Sequence, residues 1–150
     1  MRRPEMHVAI RFAAVLVALV IASACGSGYK GLTKTEFLRQ ANQSCTHPSK
    51  ADVAVRKLIA VQRTPERKAK LYLEKVLPLI DRHLDGIAAL KPPKVDREQV
   101  ATIIDQARAD AKQFATDLKA DPIIALSSAD QPFAKSFKAA SDYGVKICIG

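Results

Sequence analysis

The side chains that could carry out catalysis or hold a metal are few in this 150-residue sequence. His83 follows Tyr72 by eleven positions on one predicted helix, which separates the two side chains by about 16 Å along the axis, too far to ligate one haem iron. Asp81 and Asp85 have the spacing of a carboxylate pair, but Arg82 lies between them and the segment is typical of a solvated helix face. No HExxH, Cys-x-x-Cys, Gly-x-Ser-x-Gly or glycine-rich phosphate loop occurs. We therefore predict that the protein is not an enzyme and has no metal or cofactor site.

The N-terminal segment has the pattern of an export signal. Its basic side chains are Arg2, Arg3 and Arg11. An unbroken apolar run, Phe12–Ile21, is followed by small residues up to Cys25. The translocase requires a short apolar helix, and the peptidase requires small side chains beside the bond that it cuts. The run is shorter than the about 20 residues of a membrane span, so we predict that residues 1–24 are a signal peptide.

Two cleavage routes are compatible with the residues before Cys25. The sequence Ala22-Ser23-Ala24-Cys25 resembles a bacterial lipobox, whose cysteine receives a diacylglyceryl group and becomes the mature N-terminus, although Ala22 replaces the usual leucine. The same alanines suit an ordinary signal peptidase, which would release a soluble secreted protein. We favour lipidation of Cys25, because the glycine-rich residues 26–28 form a flexible tether that would hold a domain off a membrane. The predicted lipidated N-terminus and tether are residues 25–32.

The cysteine count supports lipidation. Thiols outside the inner membrane tend to pair, and three cysteines cannot all do so. If Cys25 carries lipid, Cys45 and Cys148 remain as one pair, whereas a free Cys25 would leave a reactive thiol in an oxidising compartment. We predict a Cys45–Cys148 disulfide that closes a loop of about 100 residues and fixes the C-terminal tail to the first helix.

Residues 33–150 are predicted to form a single all-α domain. Removing residues 1–24 leaves 126 of the 150 residues, a length that suits one domain. Apolar residues recur at intervals of three and four, and strand patterns and hairpin turns are nearly absent. We expect an up-and-down bundle of about four helices, joined by short turns and stapled by the disulfide.

Several residues predict where the helices begin and end. Thr33-x-x-Glu36 has the spacing of a capping box, and Thr64 precedes a proline at a first helical position. Asp96 is the predicted cap of the third long helix, and Gly144 is the predicted C-cap of the last one. Within the second long helix, Pro78 is expected to produce a kink.

Eight basic side chains fall within 26 residues. This set, the basic stretch, comprises Lys50, Arg56, Lys57, Arg63, Arg67, Lys68, Lys70 and Lys75. A solvated helix face is one explanation. The other is attraction to anionic lipid headgroups or acidic envelope polymers, at about 1 kcal/mol for each well-placed charge. Nucleic acid is a poor candidate, because stacking aromatic residues do not accompany the charge and an exported protein seldom meets it.

Three segments resemble small exported helical proteins and lipoproteins of actinobacteria, of mycobacterial type, a family that is largely uncharacterised. Residues 35–45 match the Phe-hydrophobic-x-x-Ala-(Asn/Asp)-x-x-Cys helix that follows the signal peptide in those proteins. Residues 90–93 resemble their Leu-x-Pro-Pro junction, and residues 143–148 resemble their Gly-hydrophobic-x-x-Cys ending, although Ile149 follows the cysteine here. The resemblance implies an exported, disulfide-stapled helical scaffold and transfers no catalytic residue.

Two functions follow from these patterns. We favour a cell-envelope lipoprotein, anchored on the outer face of the cytoplasmic membrane, that acts as an interaction or accessory module. Its expected partners are the membrane, through the N-terminal lipid, and anionic lipids, envelope polymers or an envelope protein. The alternative is a carrier of a small apolar ligand, bound in a gap that the kinked helix would open. The residues expected around that gap are Tyr72, Val76, Phe114 and Phe137.

Overall fold

The computed structural model describes residues 30–127 and 132–147, with the exception of the Ser44 side chain, and these residues form helices and connecting loops without a strand. The all-α prediction is therefore confirmed. The α-helices are α1 (Lys34–Ala41), α2 (Gln43–Thr46), α3 (Lys50–Val61), α4 (Pro65–Leu71), α5 (Leu77–Ala89), α6 (Arg97–Ala120), α7 (Pro122–Ser127) and α8 (Ala134–Tyr143). A π-helical segment, Tyr72–Val76, joins α4 to α5, and a 3₁₀ turn, Lys94–Asp96, precedes α6. The predicted signal peptide, Cys25 and Cys148 lie outside the described residues.

Both predicted caps at threonine are present. The backbone N–H of Glu36 donates to Thr33 Oγ1 at 3.3 Å, and Glu36 Oε2 accepts from the Thr33 N–H at 3.0 Å. The Thr33 hydroxyl also donates to Glu36 Oε2 at 2.7 Å, and this bond, followed by the one from the Thr33 N–H, lowers the pKa of the Glu36 carboxyl from its ordinary value. At α4, Thr64 Oγ1 accepts from the Arg67 N–H at 3.4 Å. Each such cap stabilises a helix by about 1 kcal/mol, which explains why both helices begin at these positions.

A further capping box opens α3. Ser49 Oγ accepts from the Asp52 N–H at 3.2 Å, and Asp52 Oδ2 accepts from the Ser49 N–H at 2.7 Å. The Ser-x-x-Asp spacing is present in the sequence directly after His47 and Pro48. The cap makes α3 a separate helix rather than a continuation of the first one.

Asp96 does not cap α6, which corrects the sequence-based prediction. An N-cap residue normally has an extended backbone, so that its side chain can turn back onto the first helical N–H groups. Asp96 instead ends the 3₁₀ turn with φ −99° and ψ −1°, and its side chain makes no capping bond. Its carboxylate accepts a hydrogen bond from the Tyr143 hydroxyl at 2.9 Å.

A π-helical segment lies directly before Pro78, where the sequence predicts a kink. Proline has no N–H, so Pro78 cannot donate to a carbonyl in the preceding turn. Just before it the turns widen, and the Leu77 N–H donates to the Tyr72 carbonyl five residues earlier. Beyond the wide turn, Ile80 and Leu84 return to the core. The helix therefore continues past Pro78, with a local change of winding.

Helix α4, the π-helical segment and α5 run on without a break over residues 65–89 and are called the α4–α5 rod. The core is built by α1, this rod, α6 and α8, with smaller contributions from α7 and the tail. Its buried apolar residues are Phe37, Ala41, Ala69, Val76, Ile80, Leu84, Ile87, Val100, Ile103, Ile104, Ala107, Phe114, Leu118, Ala125, Phe133, Ala140, Tyr143 and Val145. Each large side chain here contributes about 1.5–3 kcal/mol by leaving water. Helix α3 has no buried residue and packs through half-buried side chains such as Val55 and Ile59.

Gly144 ends α8, as predicted. Its φ is +100°, in the left-handed region that side chains with a Cβ rarely adopt, and its N–H donates to the Ala140 carbonyl at 2.9 Å. A Cβ at this position would lie 3.2 Å from Leu38 Cδ1. The turn at Gly144 thus directs the chain back toward α1.

Candidate functional site

The C-terminal tail is held against the first two helices by Asn42 and Cys45. The Asn42 side chain donates to the Gly144 carbonyl at 2.9 Å and accepts from the Lys146 N–H at 2.7 Å. Cys45 Sγ lies 3.1 Å from the carbonyl oxygen of Lys146. Because Cys148 is outside the described residues, its pairing with Cys45 stays a prediction.

The basic stretch covers α3, the following loop, α4 and the π-helical segment. Eight basic and three acidic side chains give residues 50–75 a net charge of +5, more than half of the formal +9 of the whole chain. All eight basic residues are exposed except Lys68, which is half-buried. Among the described residues, the ion pair of this set joins Lys70 Nζ to Glu74 Oε1 at 3.8 Å, between two exposed side chains. Such a pair contributes about 0–1 kcal/mol, so most of the charge is available to an external anion.

The basic side chains do not share a single direction. Arg56 lines the rim of a cavity between α3 and α5. Lys50 and Lys57 lie nearly two turns apart on another side of α3, together with Val53 and Val61. The outer side of α3 therefore alternates basic and aliphatic side chains.

Large aliphatic side chains are exposed beside this charge. On α3, the exposed fractions are 45% for Leu58 and 69% for Val61. On α7, which packs against α4, they are 59% for Ile123 and 65% for Ile124. Asp121 Oδ1 accepts from the N–H groups of both isoleucines at 3.0 Å, which fixes the first turn of α7. The pattern of spaced aliphatic residues among cations was not recognised in the sequence, because it combines helices that are 60 residues apart.

The apolar gap predicted around Tyr72, Val76, Phe114 and Phe137 is filled by aromatic packing. The Tyr72 and Phe114 rings meet edge to face with centroids 5.6 Å apart, and Phe114 meets Phe133 at 6.0 Å. Phe133 stacks on Phe137 at 5.4 Å. Such pairs are favourable beyond their area burial, so these residues close this part of the core.

A cavity lies on the other side of Tyr72 and Val76, between α3 and α5. It has a volume of about 60 Å³ and is lined by aliphatic side chains of both helices, with Asp52, Arg56 and His83 among its polar residues. An open groove of about 300 Å³ adjoins it and shares Asp52, Leu79 and His83 with the cavity. The two spaces therefore adjoin at these shared residues and form one recess, lined throughout by both aliphatic and polar side chains.

His83 is half-buried at the junction of these two spaces. Burial lowers the pKa of its imidazole, while a hydrogen bond to the Lys146 backbone and the nearby Asp52 carboxylate act in the opposite direction. The net pKa is lowered, so the neutral form is favoured near neutral pH. His83 thus forms a hydrogen bond to the tail and lies near the Asp52 carboxylate of α3.

The carboxylates at positions 81 and 85 form ion pairs with a neighbouring helix. Arg108 Nη2 on α6 lies 2.6 Å from Asp85 Oδ1, and its Nε lies 3.8 Å from Asp81 Oδ1. Their exposed location agrees with the predicted solvated face, but the sequence could not identify Arg108 as their partner, because it lies 23 positions after Asp85 and still further from Asp81. Over the two described ranges, no group of three His, Cys, Asp or Glu side chains converges on a position for a metal ion.

Comparison with known proteins adds no assignment: no protein family matches the chain, and neither a curated protein nor a solved structure is significantly similar to it. In the part of the chain that the structure describes, no helix combines the length and the apolar character needed to cross a bilayer.

Proposed function

We propose that this chain is an exported lipoprotein of the cell envelope that works as an interaction or accessory module. Lipid on Cys25 would anchor it to the outer face of the cytoplasmic membrane. The observation that carries the proposal is the exposed basic stretch, whose net charge of +5 is largely without ion pairs in the described helices. An uncompensated charge of this size draws anionic partners by long-range attraction.

The scaffold proposed for this module is a four-membered bundle closed by one disulfide. Its members are α1, the α4–α5 rod, α6 and α8, since these helices supply nearly all buried apolar residues. Cys45 lies beside Lys146, two positions before Cys148, and therefore within reach of a pairing through the tail. A crosslink over so long a loop stabilises the fold by up to about 4–5 kcal/mol in entropic models. Such a bond also fits an oxidising compartment outside the cytoplasm.

Anchor and disulfide are tested by two measurements on the protein from its native host. Metabolic labelling with a palmitate analogue is expected to mark the wild-type chain and to leave a Cys25→Ser variant unmarked. A thiol assay on denatured, unreduced protein is expected to find no free thiol. An unlabelled wild-type chain would contradict the lipid anchor, and two free thiols would contradict the disulfide.

The interaction itself is tested by photo-crosslinking in intact cells. A photoreactive amino acid at position 57, in the basic stretch, is expected to give a covalent adduct. The same amino acid at exposed position 112 on α6 serves as the matched control and is expected to give none. Equal behaviour at both positions would contradict an interaction role for the basic stretch.

The cavity between α3 and α5 favours a second candidate function, the binding of a small ligand. Cavity and groove together, about 60 and 300 Å³, reach the lower limit of small-molecule sites, which starts at about 300 Å³. The π-helical segment contributes Tyr72 and Val76 to the wall, and π-helical turns are frequent at binding sites.

Native mass spectrometry of protein purified from its own envelope tests this second function. A carrier is expected to retain a small molecule and to lose it when Ile59→Trp fills the cavity. The exposed Val95→Trp change is the control and is expected to keep the molecule. A wild-type spectrum with the bare protein mass alone would reject the carrier function.

A further inference from the structure

We propose that α3, α4 and α7 together form a membrane-contact face that lies on an anionic phospholipid bilayer, with Val61, Ile123 and Ile124 entering its interfacial region. The inference rests on the proposed lipid anchor and names the anionic partner of the basic stretch. It adds α7, which carries none of the basic residues, to the interacting surface.

The aliphatic side chains are placed where such a contact needs them. Val61, Ile123 and Ile124 are each 59–69% exposed. Helix α4 packs on both α3 and α7, the two helices that carry these side chains. The Asp121 cap keeps the backbone of the isoleucines on an ordered turn, so membrane contact does not have to order that backbone.

The charges complement an anionic surface. The exposed basic side chains here are Lys57 on α3, Arg63 in the loop between α3 and α4, and Arg67 and Lys70 on α4. Each long basic side chain near the surface strengthens binding to acidic headgroups by about fivefold. Over several residues these factors multiply. Aliphatic side chains gain further free energy when they move from water into the interfacial region. The two effects together give peripheral membrane binding where either alone is weak.

The spacing of these residues favours a bilayer over a folded protein as the partner. A protein interface needs a contiguous buried centre, commonly with aromatic anchors. Leu58 and Val61 are instead single exposed aliphatic side chains on α3, and Ile123 and Ile124 are a short exposed pair on the uncharged α7, directly after Asp121. The aromatic ring of Tyr72 turns toward the core. A fluid headgroup layer accommodates separate protrusions without a matching shape.

Lysine acetylation on vesicles tests the inference with the full, anchored protein. The protein is reconstituted into phosphatidylcholine vesicles and into vesicles with phosphatidylglycerol as about a third of the lipid. A water-soluble acylating reagent is added, and the reaction at each lysine is followed by mass spectrometry. Lys57 and Lys70 report on the proposed face, while the exposed Lys112 and Lys135 on α6 and α8 are internal references.

On the anionic vesicles, acetylation of Lys57 and Lys70 is expected to slow by about threefold relative to the references, and high salt should reverse the effect. The Ile123→Ser/Ile124→Ser variant is expected to lose most of this protection. Val95→Ser, at a side chain that is 91% exposed in the 3₁₀ turn, is the matched control and should retain it.

Equal reaction of all four lysines on both vesicle types would overturn the inference. Protection that is unchanged in the double isoleucine variant would overturn the role of α7. Protection by soluble polyglutamate but not by anionic vesicles would assign the face to an acidic polymer instead. Palmitate labelling is read separately, so an unlipidated chain that still shows protection on anionic vesicles would refute the anchor and support the membrane-contact face.

Discussion

The hydroxyl of Tyr143, at the end of α8, donates a 2.9 Å hydrogen bond to the carboxylate of Asp96, in the 3₁₀ turn just before α6. Tyr143 is only 4% exposed, and its ring also meets Phe37 edge to face at 6.1 Å. Burial raises the pKa of the phenol, and the bond to Asp96 raises it further, so the hydroxyl stays protonated as a donor. One side chain thus joins the ends of two helices to α1.

Removing this hydroxyl should destabilise the domain. We expect Tyr143→Phe to lower the free energy of unfolding by about 1–2 kcal/mol, because a partly buried bond to a charged acceptor is lost while the ring remains. Urea denaturation followed by circular dichroism measures the change. Tyr72→Phe is the control, since it keeps the ring contact with Phe114 and should have a smaller effect. Equal losses in the two variants would contradict a specific role for the bond to Asp96.

Asn42 should be important for holding the tail. Its side chain bonds the backbone of both Gly144 and Lys146, so Asn42→Ala removes two hydrogen bonds and is expected to cost about 2 kcal/mol. Faster amide exchange at Lys146 should accompany the loss of stability. The neighbouring exposed Gln43→Ala should change neither quantity by a comparable amount. If Lys146 exchanges at the wild-type rate in Asn42→Ala, the tail is held by other contacts.

Two glycines should respond to alanine with opposite sign. Gly144→Ala is expected to lower the free energy of unfolding by about 1–2 kcal/mol, because φ is +100° and the new Cβ would approach Leu38. Gly86→Ala is expected to raise it by about 0.5–1 kcal/mol, because Gly86 lies within α5 with nothing within 4 Å of an added Cβ. Thermal unfolding of both variants gives the signs directly, and a stabilised Gly144→Ala would refute the left-handed turn.

His83 should make stability depend on pH in the weakly acidic range. Its pKa in the folded chain lies below the ordinary value of 6.5 that applies when the chain is unfolded. Between those values the unfolded state binds more protons, so the free energy of unfolding falls as the pH falls through this window. Below the folded-state pKa the loss of stability caused by His83 reaches its limit, and above pH 6.5 His83 causes no such loss.

Urea denaturation at about pH 7.5 and about pH 5 measures this dependence. His83→Gln should lose less stability between the two conditions than the wild type does. His47→Gln, in the exposed loop before α3, should retain the wild-type dependence. A His83→Gln variant with an unchanged pH dependence would show that burial of this imidazole is not the cause.

Features that depend on near neighbours could be predicted from the sequence. The caps at Thr33 and Thr64 need a partner only three residues away, and Gly144 meets a local backbone requirement. Asp96 had the same local signal, but its preceding residues form a 3₁₀ turn and its side chain bonds a tyrosine 47 positions later. Helical periodicity identifies which face of a helix is buried but does not identify the helix that covers it.

The candidate site was less predictable for the same reason. The basic stretch is a continuous sequence feature and could be recognised, whereas its neighbour α7 is brought beside α4 only by the fold. Of the residues predicted around the ligand gap, Tyr72 and Val76 line a cavity, whereas Phe114 and Phe137 pack against other aromatic rings. The cavity instead lies against α3, whose half-buried residues gave no strong apolar stripe.

Helix α3 gives the molecule two levels of stability. Because it buries no side chain fully, it can separate from α5 while the core residues of the other helices stay packed. Its amides should therefore exchange with solvent through a local opening that requires less free energy than global unfolding. That opening would expose the cavity between α3 and α5, so access to the cavity and integrity of the domain are governed by two different equilibria.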